Sequence, residues 1–271
     1  MTRHATPDHR SNGIVSKNRD VFGNIHGRED VLAILHKLLG RQGMLEIIYK
    51  DEDIVAINKP NGLLVHRSPI ASRETVFAVQ TLRDQVGQDV FLIHRLDRKT
   101  SGVLLFALNR EIARVLTEQF IERSVSKRYI AIVRGYFPES VTVDYDLTND
   151  RDKVQNAVTE FKRLKTTELD IPLGKHSTSR YSLIEARPLT GRQHQIRKHC
   201  SHLRHPIIGD RPYGCSKQNR MFKARWGMMT SLLHAAELRL RHPVDGRELV
   251  LEAGLNMEFV RMMGVLGFSG A

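Results

Sequence analysis

His94-Arg95-Leu96-Asp97-Arg98-Lys99-Thr100-Ser101-Gly102 lies between two apolar stretches, Val90–Ile93 and Val103–Leu108. Both flanks have the length and composition of strands. The segment between them is polar apart from Leu96 and ends in two hydroxyl residues and a glycine. Thr100 and Ser101 can bond backbone groups, and Gly102 is free to take a positive φ, so a turn is expected there. The effect is to hold one carboxylate, Asp97, at the end of a strand. Arg95, Arg98 and Lys99 flank it in sequence, and nearby cations favour the ionised form of a carboxylate. A fixed, ionised carboxylate can act as a nucleophile or stabilise a cationic transition state. An isolated Arg-Leu-Asp string reads more readily as a plain salt-bridged turn, so the rest of the chain decides.

Working outward, Leu45–Tyr49 and Ile54–Asn58 read as strands joined by a polar turn at Lys50–Asp53, and Lys59-Pro60-Asn61-Gly62 reads as another turn. Val76–Val86 is expected to be helical. Glu111–Glu122 places Ile112, Val115, Leu116 and Phe120 on one helical face. Strands are expected at Tyr129–Val133, Val158–Leu164, Arg180–Ala186, Leu233–Leu240 and Leu249–Glu252. Helices are expected at Arg192–His202 and Met257–Leu266. Strands dominate without regular alternation with helices, so the expected class is α+β with a mostly antiparallel sheet. Residues 1–26 are polar and aperiodic and read as a disordered leader. A broad apolar stripe over 28–39 reads as a short amphipathic helix. The expected division is therefore a leader, 1–43, and one domain, 44–271.

The chain of 271 residues carries a formal net charge of +12. A surplus that large favours a polyanionic partner. Nucleic acid fits better than a membrane. The longest apolar run, near Val103–Leu108, is far short of the roughly 20 residues a spanning helix needs. Two cysteines, Cys200 and Cys215, are too few for a disulfide framework, and the N-terminus has no apolar secretory region. A cytoplasmic setting follows. His194, His199, Cys200, His202 and His205 crowd one stretch but lack the paired spacing of a zinc site. Arg197, Lys198 and Arg204 would repel a cation there, so no metal is expected.

Six elements recur in an order that resembles the RluA-type pseudouridine synthases. They are Asn58-Lys59-Pro60-Asn61-Gly62 with Val65-His66, the His94–Gly102 string, Lys127-Arg128-Tyr129-Ile130-Ala131 with Gly135, Leu189-Thr190-Gly191-Arg192-Gln193-His194-Gln195-Ile196-Arg197-Lys198-His199, His205-Pro206-Ile207-Ile208-Gly209-Asp210, and Leu232-Leu233-His234-Ala235. The resemblance implies a mixed, mostly antiparallel sheet flanked by helices around a central RNA-binding cleft. It implies a cofactor-free isomerisation of uridine to pseudouridine. Asp97 would be the essential carboxylate, Arg197 its partner, Tyr129 a stacking surface for the target base, and Arg95 the residue that helps displace the nucleotide. Leu233 or Ile130 would line the base pocket, although both read more readily as core residues. Arg192, Lys198, Arg204, Arg211, Lys217 and Arg220 would follow the RNA backbone.

Within the family, Met44–Tyr49, Leu64–Ser68, Ser179–Tyr181, and Pro206–Asp210 followed by a loop with Gln218-Asn219-Arg220 resemble the branch that acts on uridine 65 of tRNA. Residues 1–43 are too short and irregular for the S4 domain of some relatives that act on ribosomal RNA. The expected partner is thus tRNA and the expected state a monomer. The leader has no counterpart in the resemblance, so translation is expected to begin at Met44; native peptides from Asn24–Lys37 would defeat that. Three alternatives compete: a synthase for ribosomal RNA, a non-catalytic tRNA-binding protein, and a carboxylate glycosidase. The last usually needs a second positioned carboxylate, and none is evident.

Overall fold

The computed structural model describes residues 44–66 and 76–268. The leader and the helix expected near 28–39 lie outside the described residues.

In chain order, the elements are β1 (Glu46–Lys50), β2 (Ile54–Lys59), α1 (Ala78–Val86), β3 (Phe91–Leu92), β4 (Ser101–Ala107), α2 (Arg110–Ile121), β5 (Ser126–Arg134) and β6 (Ser140–Asp144). Then come β7 (Leu147–Thr148), β8 (Val154–Gln155), β9 (Val158–Leu169), β10 (Ser179–Pro188), α3 (Gln195–His202), α4 (Ser216–Trp226), β11 (Leu233–Arg241), β12 (Glu248–Glu252) and α5 (Met257–Val265). The main sheet runs β1-β2-β4-β11-β5-β10-β9-β6, with β12 on β11 and β3 on β4. Its pairings are antiparallel except β4 with β11, where His234 and Ala235 lie beside Ser101 and Gly102. The class is α+β.

Period-two alternation sorts the core. On β4, Val103, Leu105 and Ala107 pack with Ile112 and Leu116 of α2. Leu104 and Phe106 face the other way, toward Ala78 and Leu82 of α1. All seven residues of β4 are buried, which explains a run that is apolar without alternation. Each fully buried Leu or Phe contributes roughly 1.5–3 kcal/mol. On β5, Ile130 and Ile132 join Phe222 of α4 and Phe259 of α5, whereas Ala131 and Val133 join Ile196 and Cys200 of α3.

Four local expectations need correction. Gln218-Asn219-Arg220 lie in α4, not a loop. That helix is polar enough to hide its period, since only Gln218 and Phe222 are buried. The helix expected from Arg192 starts at Gln195, because His194 takes a left-handed conformation with φ 57°. Ser101 and Gly102 belong to β4 rather than to the preceding turn. Finally, β6 was not anticipated; it pairs with β9 through Val141 and Val143. Among the described residues no helix is long and apolar enough to cross a membrane.

Candidate active site

Asp97 lies in the loop between β3 and β4, closed by a turn in which the Thr100 amide donates to the Asp97 carbonyl (3.0 Å). Lys59, at the end of β2, is fully buried. Its Nζ donates to the carbonyls of Pro60 (2.9 Å), Leu63 (3.0 Å) and Arg98 (3.2 Å). Three acceptors match the three protons of an ammonium group. The Gly62 amide donates to the same Arg98 carbonyl (2.8 Å). Burial pulls the Lys59 pKa down to about 7, against the opposing pull of Asp97.

Gly102 anchors the far end of this loop. Its φ is +111°, and a Cβ there would sit 2.1 Å from the Ala235 carbonyl oxygen. Only glycine lets the β11 backbone come that close. Beside it, Ser101 Oγ meets His234 Nδ1 (2.9 Å) and accepts from Asn256 Nδ2 (2.8 Å).

The cations adjacent to Asp97 in sequence turn elsewhere. Arg98 Nε donates to the Gly62 carbonyl (3.0 Å), and Lys99 Nζ to the Met229 carbonyl (3.3 Å). Arg95 is exposed at the cleft, with no hydrogen bond or ion pair among the described residues. The guanidinium that binds Asp97 comes from 100 residues away. Arg197 on α3 donates from Nη1 to Asp97 Oδ2 (2.7 Å). Its other edge forms a fork with Asp210, Nε to Oδ2 (2.6 Å) and Nη2 to Oδ1 (3.0 Å). Asp210 is almost wholly buried, its side chain 1% exposed. Burial alone would weaken the charge of Arg197, but hydrogen bonds and attraction from Asp210 and then Asp97 outweigh it and raise its pKa.

The segment before α3 is wired through Gln195, which is buried. Its Oε1 accepts from Thr190 Oγ1 (2.7 Å) and the Arg192 amide (3.0 Å). Its Nε2 donates to the Val158 carbonyl and to Thr159 Oγ1, each at 2.9 Å. Asn219 on α4 holds the segment around Asp210, accepting from the Gly209 amide (2.9 Å) and donating to the Asp210 carbonyl (2.5 Å).

Asp97 and Arg197 open onto a cleft of about 470 Å³ that Arg95, Lys127, Tyr129, Arg192, His194 and Leu233 also line. The Tyr129 side chain packs against both core clusters on this face of the sheet. Burial, with Asp97 adding, pushes its pKa well above the usual tyrosine range, so it is a neutral hydroxyl at physiological pH. Ile130 is one residue along β5 and so points to the opposite face. It packs with Ile132 and Tyr181 in the core and does not line the cleft. Of the six basic residues expected to follow RNA, only Arg192 lines the cleft. Lys198 donates to the Thr148 carbonyl (2.9 Å), and Arg204, Arg211, Lys217 and Arg220 are exposed outside it.

The histidines of this stretch occupy separate stations. His199 bonds Thr159 Oγ1 (3.0 Å) and the Tyr145 carbonyl (3.2 Å), His202 stacks on Tyr145, and His205 Nδ1 meets the Arg134 carbonyl (2.7 Å). His94 stacks on Phe120 and accepts from the Leu105 amide at Nε2 (3.2 Å). Burial, then Lys127, lowers its pKa to about 3, so its ring is neutral. Asp210, Lys127, His194 and Tyr213 were not anticipated as parts of the site. The first three stand inside the quoted motifs, but nothing local marks what they touch.

The family model for RNA pseudouridylate synthases matches residues 53–202. The chain belongs to that family. It is accordingly an RNA pseudouridine synthase, an isomerase. It is similar to the tRNA pseudouridine synthase C of Yersinia pestis, 47% identical over 84% of this chain and 93% of that one. It is also similar to the protein of that name from Vibrio cholerae, 46% identical over 83% of this chain and 97% of the relative. Among solved structures, human RNA pseudouridylate synthase domain containing 4 superposes with a TM-score of 0.65 at 27% identity, covering 86% of this chain and 96% of the human one.

Proposed function

We propose that this synthase acts on tRNA, at uridine 65, with Asp97 as the reacting carboxylate. The observation that carries the reading is the Arg197–Asp97 pair at 2.7 Å, opening onto a cleft also lined by Tyr129 and Arg95. Its substrate assignment is supported by the relatives from Yersinia pestis and Vibrio cholerae, which are named for tRNA. The net charge of +12 suits a polyanion.

In this reading the N1–C1′ bond of uridine breaks, the uracil turns, C5 bonds to C1′ as it gives up its proton, and N1 takes up one. Asp97 works at the sugar, either by attacking C1′ or while a glycal forms. Arg197 keeps its carboxylate oriented and charge-matched. Tyr129 offers its ring to the displaced base. Arg95, exposed at the cleft, stacks into the gap that the flipped nucleotide leaves, at a cost of a few kcal/mol for the flip. Arg192 and Lys127 face the phosphates. Leu233 packs against the base. The rearrangement is redox-neutral, and no cofactor is needed for it. The domain that does this is residues 44–271, a monomer working in the cytoplasm.

The test is pseudouridine mapping of total RNA with and without the gene. Loss at uridine 65 of tRNA is expected, and loss confined to ribosomal RNA would overturn the tRNA assignment. Asp97→Asn in the purified protein is expected to lower turnover at least about 10³-fold while RNA affinity changes little. A variant that keeps its activity would remove Asp97 from the chemistry.

A further inference from the structure

The two carboxylate oxygens of Asp97 meet different neighbours. Oδ2 takes the guanidinium of Arg197. Oδ1 faces Nε2 of His194 at 3.6 Å. That is beyond a hydrogen bond, but a shift of about half an ångström would close it. Contacts of this kind commonly tighten only when substrate is bound.

His194 reaches this place at a conformational cost. It is the N-cap of α3 with φ 57° and ψ 24°, and its side chain makes no capping hydrogen bond. The left-handed region costs an ordinary residue roughly 1–2 kcal/mol, and such strain collects where a side chain must be aimed at a reacting group. The ring is held by Tyr213 instead, whose hydroxyl lies 3.0 Å from Nδ1, with the two rings edge to face at 5.5 Å. Tyr213 in turn lies under the guanidinium of Arg197, 5.1 Å from its ring centre.

This arrangement selects a tautomer. If the Tyr213 hydroxyl donates to Nδ1, the ring proton sits on Nε2 and faces the carboxylate. The other tautomer would set a nitrogen lone pair against a carboxylate oxygen.

We propose that His194 is a positioning residue: through Nε2–H it orients Oδ1 of Asp97, Tyr213 fixes its ring, and protonating the ring closes it onto that oxygen. The proposal rests on the reading of Asp97 as the reacting carboxylate. The neutral ring leaves Oδ1 with lone pairs to offer the sugar, whereas an imidazolium pairs with Oδ1 and occupies it. The charged and titratable groups that face the ring are Asp97 from its loop, Arg197 and Lys198 from α3, and Asp210 and Tyr213 from the segment after α3. Burial leads in lowering the His194 pKa, with Arg197 and Lys198 adding and Asp97 and Asp210 opposing. The ring is therefore neutral at physiological pH and titrates in the acid range.

The experiment measures kcat and KM between pH 5 and 8.5 for the full chain and for His194→Ala, His194→Gln, His194→Asn and Tyr213→Phe. The RNA is whichever one the wild type modifies. His194→Ala is expected to lower kcat about 10- to 100-fold with KM within about twofold, on the scale of losing an orienting partner. Wild-type kcat is expected to fall toward the acid end of that pH range as the ring protonates, and His194→Gln to lose that acid limb. Tyr213→Phe is expected to lower kcat about three- to tenfold. Asparagine tolerates the left-handed backbone, so His194→Asn should stay folded and still lose kcat. His194 variants with wild-type kcat, or with the acid limb intact, overturn the inference. A wild type silent on tRNA counts instead against the proposed substrate.

Discussion

The wall of the cleft that carries Asp97 is held largely by main-chain groups, whereas the wall that carries Arg197 is held by side chains. On the first wall, the Asp97–Thr100 turn, the Gly62–Arg98 contact and the Lys59 clamp all end on carbonyls, and Gly102 lies against the β11 backbone. On the second, Gln195, Asp210 and Asn219 each use both ends of a side chain to tie distant segments together. Main-chain contacts place the carboxylate with little dependence on neighbouring side-chain identity, except where a glycine is required. Side-chain contacts place the guanidinium only while every partner is present. The first wall should therefore break at Gly102 alone, and the second at any of its hubs.

The largest effect is expected at Gly102. In Gly102→Ala the new Cβ would lie 2.1 Å from the Ala235 carbonyl oxygen, in a backbone conformation that L side chains avoid. The parallel β4–β11 pairing must open to admit it. A loss on the order of 4 kcal/mol, seen as a fall in Tm of about 10 °C, is expected by thermal unfolding. A variant as stable as the wild type would mean that the sheet tolerates separation at the point where it presents the Asp97 loop.

Asp210→Ala comes next and separates the two walls. It removes the partner of two of the three side-chain hydrogen bonds of Arg197 and leaves a mostly buried guanidinium with Asp97 alone. Breaking one side of a buried pair costs about 3 kcal/mol, and turnover should fall with it, because Arg197 can then swing. Asp97→Ala leaves the Asp210 fork in place and should cost less than about 1 kcal/mol while abolishing turnover. Measuring Tm and kcat on both variants checks the contrast. Equal stability losses would show that Asp97 anchors Arg197 as firmly as Asp210 does.

The same contrast explains what was legible in the chain. The His94–Gly102 segment betrays itself locally: an apolar strand follows, Thr100 closes the turn, and a single carboxylate stands among cations. The strands around it carry their periods openly. The second wall carries no such local mark. Asp210 reads as one acid in a loop, and Tyr213 as an ordinary tyrosine, until the chain folds back over Arg197. Helix α4 was invisible because its buried face is only Gln218 and Phe222, too narrow for a periodic signal. Arg95, Arg98 and Lys99 misled in the opposite direction. Nearness in sequence made them look like the partners of Asp97, yet Arg98 and Lys99 are drawn to carbonyls of other loops, and Arg95 is left at the rim. Ile130 is core, the reading the sequence favours, because neighbours on a strand face opposite ways and Tyr129 takes the cleft side.

The smallest effect tests whether the main-chain wall depends on charge at all. Lys59→Met keeps the apolar stem of the side chain but removes the ammonium that joins three carbonyls. The Gly62–Arg98 bond survives, so the loop should keep its path; the carbonyls left without a donor cost about 1–2 kcal/mol, offset at neutral pH by relief of the buried charge. The pH dependence carries the sharper information. The Lys59 pKa falls from 10.5 to about 7 on folding, chiefly through burial. Between those values the unfolded chain binds more protons than the folded one, so stability rises with pH through that window. Below about pH 7 both states are protonated and the penalty of burying the charge is fully present. Subtracting the Lys59→Met unfolding free energy from that of the wild type should therefore give a difference that is flat below pH 7 and moves in favour of the wild type toward pH 10. A flat difference across the whole range would mean that the three carbonyls solvate the ammonium as well as water does. The Asp97 wall would then hold a permanent buried cation.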